Sequence, residues 1–291
     1  PSPAGRMRLA ARTMTHPGHP LFRRRAGGVL LHPTSLPGGQ GIGDLGPPAR
    51  RFVDWLETAG LGLWQMLPIG PVGKGNSPYS GRSAFAGEPL LISLEDLVAD
   101  GLLERNALRG DPPRRLDRVS YAAVRRFKLP RLREACETFR SRGGTRGRDF
   151  RNFRMRNRGW LVGWCDYAAE PDDDAAIIQF FFDRQWRALR HYAHRRRVML
   201  VGDLPIFIEL DSADVAQRPD LFLLDADGRP RARTGAAPDA FSASGQLWGH
   251  PQYDWAAHRR DRWSWWTLRF RQALARYDAV RLDHFLGFVR L

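Results

Sequence analysis

Asp283 stands in Val280-Arg281-Leu282-Asp283-His284-Phe285, an apolar strand tip that carries a carboxylate between two bases. Along a strand alternate side chains share a face, so Arg281 and Asp283 point the same way. A guanidinium beside a carboxylate favours the ionised form. That suits a nucleophile or the stabiliser of a developing cation, not a proton donor. A plain strand-end salt bridge fits the same spacing equally well. Upstream, Gly202-Asp203-Leu204-Pro205-Ile206-Phe207 places a second carboxylate at a strand end, where glycine permits close backbone approach and proline ends pairing. A turn or cap carboxylate is the commoner role for such an aspartate. Read together, Asp203 and Asp283 are expected to be one face of a sugar-processing site.

Two aromatic-bearing stretches fit that chemistry. Residues 238–249 read as a Gly/Ser-rich loop with Phe241, Gln246 and Trp248, and Asn76-Ser77-Pro78-Tyr79-Ser80 as a second loop beyond the second strand. Aromatic rings offer flat apolar faces that match the CH faces of a pyranose, while Gln and Ser satisfy its hydroxyls. An Ω-loop packed by its own aromatics is the bland alternative for the first stretch. His32 and His284 also fall at strand ends, and a lone histidine there is more often a satisfied hydrogen-bonding group than a ligand. No His, Cys or carboxylate clustering has metal-ligand spacing, so no metal is expected. Gly70-Pro71-Val72-Gly73-Lys74-Gly75 lacks the strand context and trailing Ser/Thr of a phosphate loop.

The elements that must position these residues follow from hydrophobic periodicity. Gly28 to His32 is a short apolar run ending in Pro33, a buried strand. Pro47-Pro48 open a helix with Phe52, Trp55, Leu56 and Ala59 at helical spacing, closed by Gly60. Leu63 to Leu67 is the next strand. Ile178, Phe181, Phe182, Trp186 and Leu189 form a helical stripe before a strand at Val198 to Asp203. Trp263, Trp266, Phe270, Leu274 and Tyr277 form another before a strand at Ala279 to Phe285. Core packing is the expected role of both stripes. Four strands alternating with helices predict a parallel α/β architecture with its site at the carboxyl ends. The stretch between the second and third strands is too long for a crossover. The expected division is residues 26–89 for strands one and two with a groove loop, 90–175 for an inserted, mainly helical subdomain, and 176–291 for strands three and four with the aromatic loop.

At 291 residues and 43% hydrophobic the chain can bury a substantial core. Cys136 and Cys165 make no disulfide framework, which points to a reduced, cytoplasmic setting. No run of about 18 apolar residues suggests a membrane span. Residues 1–25 lack an apolar signal segment. Because the chain opens on Pro1 rather than Met, they are expected to be a disordered tail, with folding from about Ala26. The net charge of +15 would ordinarily raise nucleic acid as a partner. Lysine, however, occurs only at Lys74 and Lys128, so the excess is arginine, as a coding bias would give. The densest arginine run, Arg140 to Arg158, is expected to be a solvated face, and no nucleic-acid partner is expected.

These motifs, in this order and spacing, identify a resemblance to the 4-α-glucanotransferases of the amylomaltase (disproportionating enzyme) family. The residues that carry it are Gly28 to Pro37, Ile42-Gly43-Asp44-Leu45-Gly46, Ser77-Pro78-Tyr79, Ser83 to Gly87, Asp203 to Phe207, Asp211 to Val215, Gln246-Leu247-Trp248-Gly249 and Arg281 to Phe285. The resemblance implies a (β/α)8 barrel, of which this chain covers about the first four strands, and a retaining double displacement on α-1,4-glucans without a cofactor. Asp283 matches the family nucleophile. Asp203, Arg281 and His284 match residues that hold the sugar beside the cleaved bond, and Tyr79, Phe241, Gln246 and Trp248 match positions lining the glucan groove. The family's acid/base glutamate and third carboxylate match no position up to Leu291. The chain as given is therefore expected to be a truncated, inactive portion, the alternative being a non-catalytic α-glucan-binding remnant. Leu286, Ala240, His250 and Glu88 depart from the family's usual arginine, tyrosine, asparagine and asparagine.

Overall fold

The computed structural model describes residues 25–109, 112–113, 117–171, 173–238, 240 and 242–288. The expected tail therefore lies, up to residue 24, outside the described residues, as does Phe241.

Four short strands form one parallel sheet in the order β1 (Gly28–Leu30), β2 (Leu63–Gln65), β3 (Met199–Leu204) and β6 (Ala279–Leu282). Parallel neighbours need crossovers that return the chain to the same end of the sheet. Helix α1 (Pro47–Thr58) supplies the first, α5 (Asp174–Arg195) leads into β3, and α8 (Ser264–Arg276) leads into β6. Helix α1 starts on two prolines, which need no amide partner there, and stops at Gly60, whose φ of 68° belongs to the left-handed region. Helix α5 is buried at Ile178, Phe181, Phe182, Trp186 and Leu189, the face its stripe predicts.

Between β2 and β3 the chain is helical, through α2 (Leu94–Ala99), α3 (Tyr121–Ser141) and α4 (Arg148–Ala168). The arginine run is thus the end of α3, a turn and the start of α4. Its arginines lie mostly on the solvent side, while Phe150, Phe153 and Trp160 turn inward. Phe139, Phe150, Phe180 and Phe181 meet ring against ring at 5.4 to 5.6 Å, locking α3 and α4 onto α5. One hydrophobic core runs from these helices to the sheet without a break. Under α3, fully buried Lys128 reaches Asp44 at 3.3 Å and the Leu90 carbonyl at 2.8 Å.

Three expectations need correction. The stretch 238–249 is not a loop throughout, because Gln246–Pro251 is a strand, β5, paired antiparallel with β4 (Arg233–Ala236). The last strand stops at Leu282, and Phe285–Phe288 turn into a 3-10 helix. The final aromatic stripe is only partly core. Trp266 and Tyr277 are buried, yet Trp263 precedes α8 at a φ of 59° and stands 40% exposed, and Leu274 is 58% exposed. The remaining helices are α6 (Ala213–Gln217), capped by the Ser212 hydroxyl, and α7 (Trp255–Arg260), capped by Asp254.

Candidate active site

The carboxyl ends of β3 and β6 bring two carboxylates to one guanidinium. Asp203 and Arg281 face each other in the β3–β6 register. Arg281 donates from Nη1 to both oxygens of Asp203 at 2.9 Å and from Nη2 to Asp283 Oδ1 at 2.5 Å. Tyr79 donates its hydroxyl to Asp203 Oδ2 at 2.6 Å, reaching in from the loop after β2. Asp203 is therefore no turn or cap carboxylate, and Arg281 is more than the partner of its neighbour on the strand. Gly202 is required here, since a Cβ would sit 2.3 Å from the Tyr277 ring packed beneath β3.

Burial pushes the Asp203 carboxyl up, opposed by the hydrogen bonds from Tyr79 and Arg281. Burial also raises the Tyr79 hydroxyl, helped by the carboxylate it serves. For Arg281 burial works toward deprotonation, but the attraction of Asp203 and Asp283 outweighs it and holds the cation.

Asp283 opens into a cleft of about 390 Å³ that Tyr79, Gln246, Trp248 and His284 also line. Trp248 donates from its indole nitrogen to Gln246 Oε1 at 3.0 Å and meets the His284 ring edge-on at 4.9 Å and 87°. His284 has a φ of 44°, the left-handed turn that takes the chain off β6. The structure thus gathers Tyr79, Gln246, Trp248, Asp283 and His284 on one cleft. Arg281 and buried Asp203 stand behind it, and Phe241 lies outside the described residues. His32 is not part of this group. It bonds Thr34 Oγ1 and the Pro68 carbonyl, and burial lowers it to about 4.

Two cleft residues were given no site role from the sequence, although His250 stood out there as a departure from the resembled family's asparagine. Phe207 lies buried against Trp248 and His284 at 6.0 Å each, and the His250 ring stacks on it at 6.1 Å. Phe207 falls within a quoted motif, but nothing in its spacing separates a floor of the cleft from ordinary core. Among the described residues no group of three or more His, Cys, Asp or Glu is placed to hold a metal ion. No helix there is long and apolar enough to cross a membrane.

A family model described as 4-alpha-glucanotransferase matches residues 31–176 and 169–291, nearly the whole of the described chain. The chain belongs to the 4-alpha-glucanotransferase family. It is 42% identical over 308 residues to the chloroplastic/amyloplastic 4-alpha-glucanotransferase of Solanum tuberosum, covering 92% of this chain and 53% of that protein. It is 38% identical over 302 residues to the 4-alpha-glucanotransferase of Streptococcus pneumoniae, covering 92% of this chain and 59% of the relative. The chain therefore spans little more than half the length of such relatives. Among solved structures, the amylomaltase of Streptococcus agalactiae in complex with acarbose superposes with a TM-score of 0.85 at 32% identity, over 91% of this chain and 60% of that one. The amylomaltase of Corynebacterium glutamicum shares the fold with a TM-score of 0.70 at 23% identity, over 90% of this chain and 41% of its own. The four parallel strands are thus a partial 4-alpha-glucanotransferase barrel, matching amylomaltase structures over part of their length.

Proposed function

We propose that the protein transfers segments of α-1,4-glucans to the 4-hydroxyl of an acceptor glucan by retaining double displacement, with Asp283 as nucleophile. The observation that carries this reading is the junction of Asp283, bonded on one oxygen to Arg281, with a cleft walled by Tyr79, Trp248, Gln246 and His284. Family membership and the acarbose complex of a relative point the same way.

In this scheme Asp283 Oδ2 attacks the anomeric carbon while Oδ1 stays on Arg281, so the guanidinium steadies the carboxylate without blocking it. The bond from the anomeric carbon to the glycosidic oxygen breaks as the ester forms. That oxygen leaves with a proton from a second carboxyl group, which retaining chemistry sets about 5 Å from the first. In the second half the acceptor's 4-hydroxyl displaces Asp283 and returns its proton to that group. His284 holds the sugar beside the cleaved bond, and Asp203, closed in by Tyr79 and Arg281 behind the cleft, acts on it by fixing that guanidinium. Trp248 and Gln246 bind the neighbouring units and favour an acceptor sugar over water.

Asp203 cannot be the second carboxyl group, because both of its oxygens accept from Arg281 or Tyr79. Among the described residues no other carboxyl lines the cleft. The 291-residue chain by itself should therefore show no turnover, since positioned acid catalysis is worth about 10² to 10⁴ in rate. A purified sample that releases glucose from maltotriose would refute this. The second reading is a glucan binder without chemistry, which keeps the aromatic cleft wall of Tyr79 and Trp248 but makes no transfer. Asp283→Asn in the protein as the cell makes it separates the two. An enzyme loses transfer by about 10³-fold or more and keeps maltoheptaose affinity within a few fold. A binder shows no transfer to lose.

A further inference from the structure

Glu209 lies in the loop after β3, beside His250 of the cleft lining, and the chemistry set out above gives it no part. Its Oε1 stands 3.5 Å from Nε2 of His250. A carboxylate only accepts, so Nε2 carries the hydrogen. The other ring nitrogen lies 3.3 Å from Thr234 Oγ1 on β4. One imidazole thereby joins the loop after β3 to both strands of the β4–β5 hairpin. Glu209 reaches the other way as well, where its carboxylate takes a hydrogen bond from Ser80, the residue next to Tyr79. These hydrogen bonds, that of His250 foremost, hold the carboxyl below its usual range despite burial.

The two walls of the cleft come from segments far apart in sequence. One is the loop carrying Tyr79 and the other is β5. Alternation along β5 puts Gln246, Trp248 and His250 on the same face, and all three line the cleft. We infer that Glu209 and His250 form a positioning pair, one carboxylate tying both walls, which sets the width of the cleft and so favours glucans long enough to reach Trp248. The pair touches neither Asp283 nor Arg281, and it acts through the wall. His250 stacks on Phe207 at 17°, and Phe207 supports both Trp248 and His284. Loosening the pair frees the hairpin and leaves the Asp203–Arg281–Asp283 group in place.

The inference rests on the glucan reading of the cleft, and its test separates the two. Titration calorimetry with maltoheptaose and maltotriose compares the intact protein with Glu209→Ala, Glu209→Gln, His250→Leu and the double variant Glu209→Ala/His250→Leu. Glu209→Ala is expected to weaken maltoheptaose binding about tenfold and maltotriose binding less than twofold. Glu209→Gln keeps an acceptor for Nε2 and a group for Ser80, so it restores maltoheptaose affinity to within about threefold. The double variant is no weaker than the worse single one, as expected for residues that act as one pair. Equal losses for both sugars, a glutamine variant as weak as alanine, or fully additive losses would overturn the pair. If the unaltered protein binds neither sugar, the glucan reading fails, and the pair is judged on the ligand-free protein. There the Trp248 indole and His284 ring resonances broaden or shift in Glu209→Ala and return in Glu209→Gln. Resonances that do not move would sink the pair independently.

Discussion

Two places in this molecule set a cation against carboxylates, and they differ in who else is present. Under α3, Lys128 and Asp44 are 0% and 7% exposed. The lysine also serves the Leu90 carbonyl, and the other oxygen of Asp44 takes the Gly46 amide. At the strand ends, Arg281 is 46% and Asp283 31% exposed, and among the described residues nothing bonds to Asp283 Oδ2. The first cluster is complete in itself. The second is complete only on the side of Asp203 and has an oxygen to spare on the side of the cleft. Kinds of charge do not separate a structural cluster from a site; the unfilled valence beside a cavity does.

The strongest way to break this comparison is Lys128→Met. Removing one partner leaves Asp44 buried with its charge unanswered, which costs about 3–5 kcal/mol. Denaturant unfolding should show that loss, with maltoheptaose affinity unchanged. Arg281→Met should also lower stability, because Asp203, 1% exposed, keeps only the Tyr79 hydroxyl among its side-chain partners in the described residues, but glucan affinity should drop with it, at least about tenfold. Unchanged glucan affinity in Arg281→Met, or an equal affinity loss in Lys128→Met, would erase the distinction.

Acid sharpens the sealed side. Burial lowers both His32 and His258 to about 4, and the ring of His258 is enclosed by Tyr253, Trp255 and Trp266. A histidine with a depressed folded-state value takes up its proton more readily when unfolded. Stability is thus whole above about pH 6.5 and falls as the pH drops toward 4, by at most about 3 kcal/mol for each ring. Melting temperatures between pH 7 and 4.5 should decline, and His258→Phe should flatten the decline by removing one proton from the balance. An unchanged slope would mean His258 is not the group that titrates.

The smallest change is Tyr79→Phe. It removes one donor from Asp203 and leaves the ring in the cleft wall, so stability falls by about 1 kcal/mol or less. Glucan affinity should fall only severalfold, well short of the Arg281→Met loss. Binding isotherms on both variants provide the check.

Much of the frame was legible because apolar runs and helical stripes are local. The four parallel strands and helices α1, α5 and α8 announce themselves within windows shorter than twenty residues. Strand β5 does not. Gln-Leu-Trp-Gly-His-Pro has a glycine and a proline, and its most apolar residue, Leu247, is 74% exposed, so the usual alternation points the wrong way. Only pairing with β4 makes it a strand. The same limit applies to the site. The contact between Arg281 and Asp283 is two residues long and readable from spacing. The one between Arg281 and Asp203 spans 78 residues and exists only through the β3–β6 register. Phe207 stayed hidden because a buried aromatic after a strand is ordinary until Trp248, His250 and His284 are seen to meet on it.

That register has a thermodynamic corollary. Arg281 belongs to β6, and its hold on Asp203 joins neighbouring strands at the very point where the proposed sugar site lies. If that site takes a glucan as proposed, separation of β6 from β3 and loss of the ligand are coupled. A glucan present at 100 times its dissociation constant adds about 2.7 kcal/mol to the work of peeling that strand away. The substrate would serve as a clasp for the part of the sheet that holds it.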